Sequence, residues 1–189
     1  MEATRRRYGE VRRQIGDGDL LLFRWNSIVS KVIRAFGRSQ YSHAGMAVWD
    51  NDHDVLLCCE VREWYGGRAV TLSSLVKCFP ACIDVYRAAD SSYRGHLAAG
   101  HMLRRAGQPY GYLAIGASAL VHLPMLRFLH KPEVRDRAKS TLPEYCSAAV
   151  ANAARLGGGV DPVPNLNDSY VEPGDLARSM LWAYTFTLI

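Results

Sequence analysis

An α+β fold with a mostly antiparallel sheet packed against helices is the class that this 189-residue sequence predicts. Short apolar runs bounded by Gly, Asp and Asn read as strands, and several follow one another without an intervening helix. The later part of the chain changes to helical spacing, rich in alanine and punctuated by cap residues and glycine stops. Strands gathered early and helices late form the α+β pattern. A hydrophobic content of 49% over this length is enough for one core.

Asp19 to Trp25 follows Gly16-Asp17-Gly18 and is too short for a helix, so it reads as a buried strand. Asn26 or Ser27 caps a helix whose apolar positions Ile28, Val29, Val32, Ile33 and Phe36 recur at helical spacing and stop at Gly37. His43 to Trp49 and Val55 to Val61 form a hairpin across the turn formers Asp50-Asn51-Asp52-His53-Asp54. Thr71 to Lys77 is a short helix opened by a hydroxyl, and Ala81 to Arg87 is the next strand. Asp90 to Arg105 reads as a helix stopped by Gly107. Gly107-Gln108-Pro109-Tyr110 then turns the chain into a helical region, Leu113 to Leu129, which Pro124 interrupts.

Thr141-Leu142-Pro143-Glu144 has the spacing of a capping box with proline in the first turn. It places Cys146 in the first two turns of an alanine-rich helix that ends at Gly157-Gly158-Gly159. A proline-rich loop, a short helix around Asp175 and an apolar tail from Leu181 to Ile189, read as an edge strand, complete the chain. No internal repeat or linker is visible, so the organisation expected is a basic arm, residues 1–15, followed by a single domain, residues 16–189.

The net charge of +5 and pI near 9.0 owe much to Arg5, Arg6, Arg7, Arg12 and Arg13 in that arm. A solvated, frayed terminus explains them, and so does contact with an anionic membrane or a cell-wall polymer. No aromatic-interleaved basic stretch supports specific nucleic-acid binding. Met1 leads into arginines without an apolar h-region, so no signal peptide is expected and the protein is cytoplasmic as synthesised, unless a phage or secretion system delivers it. Gly111 to Leu129 has the length to span a bilayer, but His122, Pro124 and Arg127 favour a buried or surface-covering helical segment.

The sequence holds five cysteines, Cys58, Cys59, Cys78, Cys82 and Cys146, without metal-type spacing or histidine partners. No metal or other cofactor is expected. Cys58 and Cys59 point to opposite faces of a strand, and the first four sit in apolar settings where a thiol packs as a small hydrophobe. Cys146 stands apart because a helix N-terminus favours the thiolate. On that position alone it is either an activated nucleophile or a packing residue of an alanine-rich helix.

His43 opens an apolar strand between small residues, in Tyr41-Ser42-His43-Ala44-Gly45-Met46, where its ring can project to the sheet rim. It is either a base for Cys146 or a satisfied structural histidine. A base needs an acceptor to orient its second nitrogen. Glu60, closing the neighbouring strand, can supply that carboxylate or can be a solvated strand end, and Glu63 is the substitute.

Taken in order, Gly18-Asp19-Leu20-Leu21-Leu22-Phe23, Tyr41-Ser42-His43-Ala44-Gly45-Met46, the strand ending in Glu60, Gly107-Gln108-Pro109-Tyr110, Tyr145-Cys146-Ser147 and Glu172-Pro173-Gly174-Asp175-Leu176-Ala177 resemble the circularly permuted NlpC/P60 papain-like group, the YiiX/YebB-like amidases. The resemblance runs from about Gly16 to Ser179. It implies a permuted papain-like fold with the catalytic Cys at a helix N-terminus and the chain order His, polar residue, Cys. It further implies Cys146 as nucleophile, His43 as base, Glu60 as third member, Tyr41 as a pocket residue near the oxyanion, and Tyr145 and Ser147 as the flanks of the nucleophile.

The function expected is hydrolysis of an amide bond in a peptide, isopeptide or peptidoglycan-type substrate, through a thioester. A lipid-directed thiol acyltransferase or esterase, suited to the basic arm and the Gly111–Leu129 region, and an inactive binding module on the same scaffold are the alternatives. Substrate partners are accordingly a peptide or another acyl compound.

Overall fold

The computed structural model of this protein describes residues 4–25, 39–110 and 144–189. The strands among them are β1 (Arg5–Arg6), β2 (Leu20–Phe23), β3 (His43–Asp50), β4 (Val55–Arg62), β5 (Gly66–Thr71), β6 (Ile83–Ala88) and β7 (Trp182–Leu188). The α-helices are α1 (Tyr8–Val11), α2 (Leu72–Cys78), α3 (Gly95–Leu103), α4 (Cys146–Asn152), which a π-helical turn over Ala153–Gly157 continues, and α5 (Pro173–Arg178). The strands form one seven-stranded sheet in the order β1-β7-β6-β2-β3-β4-β5. Every neighbouring pair is antiparallel except β1 with β7. The class is α+β, as the pattern predicts.

Period-two alternation divides the strands between two apolar layers. Leu20, Leu22, Ala44, Met46 and Cys59 face α3 and α4, where Ala98, Ala99, Met102, Ala148, Ala149 and Val150 complete one core. Leu21, Phe23, Ala47, Cys58, Ile83 and Val85 face the opposite way, onto Leu72, Leu75 and Val76 of α2 and onto Val11 and Ile15. Adjacent Cys58 and Cys59 therefore lie in different layers, as strand geometry requires.

The basic arm departs from the frayed reading from residue 4 onward. Arg5 and Arg6 pair in parallel with Thr187 and Leu188, and Val11 and Ile15 are buried at 0% and 1% exposure. Arg12 and Arg13 bind Asp54 at 3.0 and 2.7 Å and lie over the Trp49 ring. Two of the positive charges expected to seek an anionic surface are thus engaged within the fold. For the same reason the C-terminal strand is not an edge, since β1 lies along its outer side.

Strand β5 escapes the sequence reading because Gly66-Gly67 break its alternation. The glycines serve close packing. A Cβ on Gly67 would lie 1.8 Å from the Arg105 carbonyl oxygen, and the Gly67 backbone exchanges hydrogen bonds with Gln108 and Gly107 at 2.7 and 2.8 Å. The Gly-Gln-Pro-Tyr segment thereby docks on the open side of β5.

Helix α3 begins at Gly95 rather than Asp90, whose carboxylate instead closes a turn on Ser92 N–H at 2.8 Å. Helix α4 begins at Cys146, with Tyr145 as its N-cap. Glu144 does not return to a cap, because Arg105 holds its carboxylate at 3.0 and 3.2 Å. A reciprocal capping box does occur at α5, between Glu172 and Asp175. The expected helix 26–37 and the apolar region Gly111–Leu129 fall largely or wholly outside the described residues. Among the described residues, no helix is long and apolar enough to cross a membrane.

Candidate active site

His43 is the first residue of β3, and its placement follows from ties at the strand start. Ser42 Oγ accepts the Trp25 N–H at 3.1 Å and donates to the Phe23 carbonyl at 3.3 Å, which fastens the end of β2 to the start of β3. Register then sets Phe23 opposite His43 and Gly45 opposite Glu60. Glu60 and His43 share a face two residues apart along the strands, so the carboxylate reaches the ring. Glu60 Oε2 lies 2.7 Å from His43 Nε2.

Gly45 is the residue that lets these strands close. A Cβ there would stand 2.6 Å from Cys58 Sγ and 3.2 Å from the Cys59 carbonyl. The glycine two residues beyond the histidine thus has a packing cause.

Helix α4 carries Cys146 to the other side of the imidazole. The thiol and the ring act directly on one another, each favouring the charged form of the other. Both groups are shut from bulk water, at 3% exposure for Cys146 and 5% for His43. The backbone N–H groups of Ala44 and Ser147 stand by the sulfur and favour its anion. Burial pushes the thiol pKa up, but the charge of His43, its hydrogen bond and those two N–H groups bring it below the ordinary value. Burial likewise pushes the His43 ring down, yet the Cys146 thiolate and the Glu60 carboxylate outweigh it and lift the pKa to about 9. Trp25 stacks on the ring at 4.5 Å and 16°, a face that favours the cation.

Glu60 stays ionised although buried at 1% exposure. Desolvation raises its pKa, while His43 and Arg68 lower it to about 2. Arg68, facing Glu60 across β4 and β5, grips Oε1 with Nε at 2.8 Å and Nη2 at 2.5 Å. The row Arg68, Glu60, His43, Cys146 therefore alternates in sign. Thiolate and imidazolium add no net charge to the buried site.

The structure brings Cys146, His43 and Glu60 together and distributes the other expected site residues differently. Tyr41 spends its hydroxyl on Asp84 at 2.7 Å and Tyr86 at 2.9 Å, within a buried network that also holds Arg24 and Thr187. The Tyr145 hydroxyl donates to the Ser169 and Val171 carbonyls, each at 3.1 Å. A hydroxyl has one proton to give, so neither tyrosine supplies an oxyanion donor; both brace the segments carrying His43 and Cys146. Ser147 is fully buried and reaches the sulfur through its backbone N–H. Glu63 lies in the turn after β4 and is not the orienting carboxylate.

Arg68, Trp25 and Asp84 are the site residues that sequence reasoning missed. Arg68 sits in the unrecognised strand, and its opposition to Glu60 is a matter of register. Trp25 reads as one more apolar strand residue. Asp84, inside an apolar run, was the visible signal, because a carboxylate there needs buried partners.

No protein-family model matches the chain, and no curated protein matches it. Among solved structures it is similar to the metalloprotein YiiX from Escherichia coli O157:H7, DUF1105. The two superpose with a TM-score of 0.65 at 17% identity, over 92% of this chain and 98% of that one. The chain has the YiiX-like fold.

Proposed function

We propose that this protein is a cysteine-dependent hydrolase of amide bonds in peptide, isopeptide or peptidoglycan-type substrates. The observation that carries the reading is a buried histidine bridging a helix-start thiol and an arginine-clamped carboxylate. That arrangement has the parts of a nucleophile, a base and its orienting acid. The papain-like resemblance of the motifs and the YiiX-like fold support it.

The Cys146 thiolate attacks the acyl carbonyl and forms the C–S bond, and the amide C–N bond breaks as protonated His43 gives its proton to the leaving nitrogen. Neutral His43 then takes a proton from water, whose oxygen attacks the thioester and releases the acid and the thiolate. Glu60, held by Arg68, keeps the ring oriented and favours its cationic form through both steps.

The structural neighbour is a metalloprotein, but the donors among the described residues are not arranged for a resident ion. Among the described residues no group of three or more His, Cys, Asp or Glu is placed to hold one. His43 Nε2 and both oxygens of Glu60 are engaged, and no step is routed through a metal.

The test is a screen of acylated peptides and lipid esters, with intact-mass detection of the acyl adduct. Turnover of peptide amides with a transient adduct on Cys146, lost in Cys146→Ala and His43→Ala, is expected. Turnover of phospholipid alone moves the assignment to the lipid-directed alternative. An unreactive thiol and no turnover leaves the binding module.

A further inference from the structure

Beside His43 lies a cavity of about 610 Å³. Trp25, Trp64, Tyr65 and Phe79 make it aromatic, and Arg24 and Arg62 make it basic. Arg24 is already committed, to Asp84 and to the Ala81 carbonyl. Arg62 is not. Its guanidinium lies 4.3 Å from the Trp25 ring centre, 5.7 Å from Tyr65 and 5.9 Å from Phe79. Among the described residues no carboxylate pairs with it and no carbonyl accepts from it. Stacking occupies the faces of a guanidinium and leaves its N–H edge, the part that binds a carboxylate in two-pronged fashion.

Trp25 of the same wall presents its ring to this guanidinium, while its Nε1 is buried and lacks a hydrogen-bond partner. Glu63 is the one acid in the lining, and it forms no ion pair with Arg62. His43 lines the cavity whereas Cys146 does not, so a group seated there lies beside the base of the dyad.

We propose that Arg62 is the specificity residue of a subsite beside His43 that takes an aromatic or apolar unit bearing a carboxylate. The carboxylate pairs with the guanidinium edge, and the apolar part lies against Trp25, Tyr65 and Phe79. A peptide ending in an aromatic residue with a free carboxylate carries that chemistry. The role in catalysis rests on the hydrolase reading; the binding site does not.

The test uses probes without a scissile bond, titrated calorimetrically into the wild-type protein: phenylacetate, its neutral counterpart phenylethanol, and phenyl phosphate. Phenylacetate is expected to bind at least about tenfold tighter than phenylethanol. Arg62→Gln should abolish that preference, Arg62→Lys should keep part of it, and Glu63→Gln should strengthen it. Equal binding of acid and alcohol, or a preference that survives in Arg62→Gln with an unchanged melt, overturns the proposal. Stronger, Arg62-dependent binding of phenyl phosphate overturns the carboxylate assignment in favour of a phosphoryl group. The wild-type comparison stands even if the glutamine variant does not fold. Because the probes are not turned over, failure here leaves the hydrolase reading intact, and absence of an acyl adduct on Cys146 leaves the subsite intact.

Discussion

Glu60→Gln is nearly isosteric, yet the site has no place for an amide. Both carboxylate oxygens accept in the native protein, Oε2 from His43 and Oε1 twice from Arg68. Glutamine offers one oxygen, and arginine can only donate. The amide oxygen therefore stays with Arg68, its NH₂ turns to the ring, and Nε2 must accept. That forces the neutral tautomer with its proton on Nδ1 and removes the imidazolium. If the His43 pKa falls from about 9 to 6.5 or lower, the protonated fraction at pH 8 drops about 30-fold.

A stability change accompanies it. The Glu60 pKa is lowered from 4.5 to about 2, which at 1.36 kcal/mol per pH unit corresponds to about 3 kcal/mol. A depressed carboxylate pKa stabilises above its unfolded value, so this contribution is complete above about pH 4.5 and fades as pH falls toward 2. The loss in the variant should be largest at neutral pH and close in acid.

The assay combines the thiolate ultraviolet difference spectrum against Cys146→Ala with peptide-resolved iodoacetamide labelling, needed because Cys78 is exposed. Both are followed from acid to alkaline pH. A Glu60→Gln protein whose thiolate spectrum and Cys146 labelling profile match the wild type would refute the charge-row reasoning, however it affects folding.

Two further outcomes follow from the same geometry. Wild-type turnover should fall on the alkaline side near pH 9 as His43 loses its proton, and on the acid side as the thiolate is protonated, the two limbs belonging to the pair rather than to either residue. The raised His43 pKa stabilises the fold below about pH 6.5 and ceases to as pH rises through 9, so melting temperatures across that window check the sign. A profile that keeps rising past pH 10 would contradict a protonated His43. Gly45→Ala should destabilise by about 1–3 kcal/mol, the cost of overpacking, because its Cβ meets Cys58 Sγ. Adding Cys58→Ala should restore most of that in urea unfolding; no restoration would place the strain elsewhere.

Local pattern determined a good deal on its own. Alternation and turn chemistry marked the β3–β4 hairpin, the apolar run with flanking glycines marked β2, and the alanine-rich stretch before three glycines marked α4. Those signals are short-range, set by dihedral preference and side-chain period, and so they survive in one dimension. They also isolated the chemically odd residues, a histidine at a strand start and a cysteine at a helix start.

What joins those residues is long-range. That Glu60 orients the ring depends on a register in which Gly45 opposes it; that Arg68 charges Glu60 depends on a strand disguised by two glycines. The Tyr41 and Tyr145 hydroxyls act as braces because a carboxylate and carbonyls distant in sequence take their protons. The arginines of the N-terminus became a seventh strand and a brace on Asp54 because β7 presented an unpaired edge. A residue type states which bonds a side chain can make; only packing brings within 3 Å the partner that takes them.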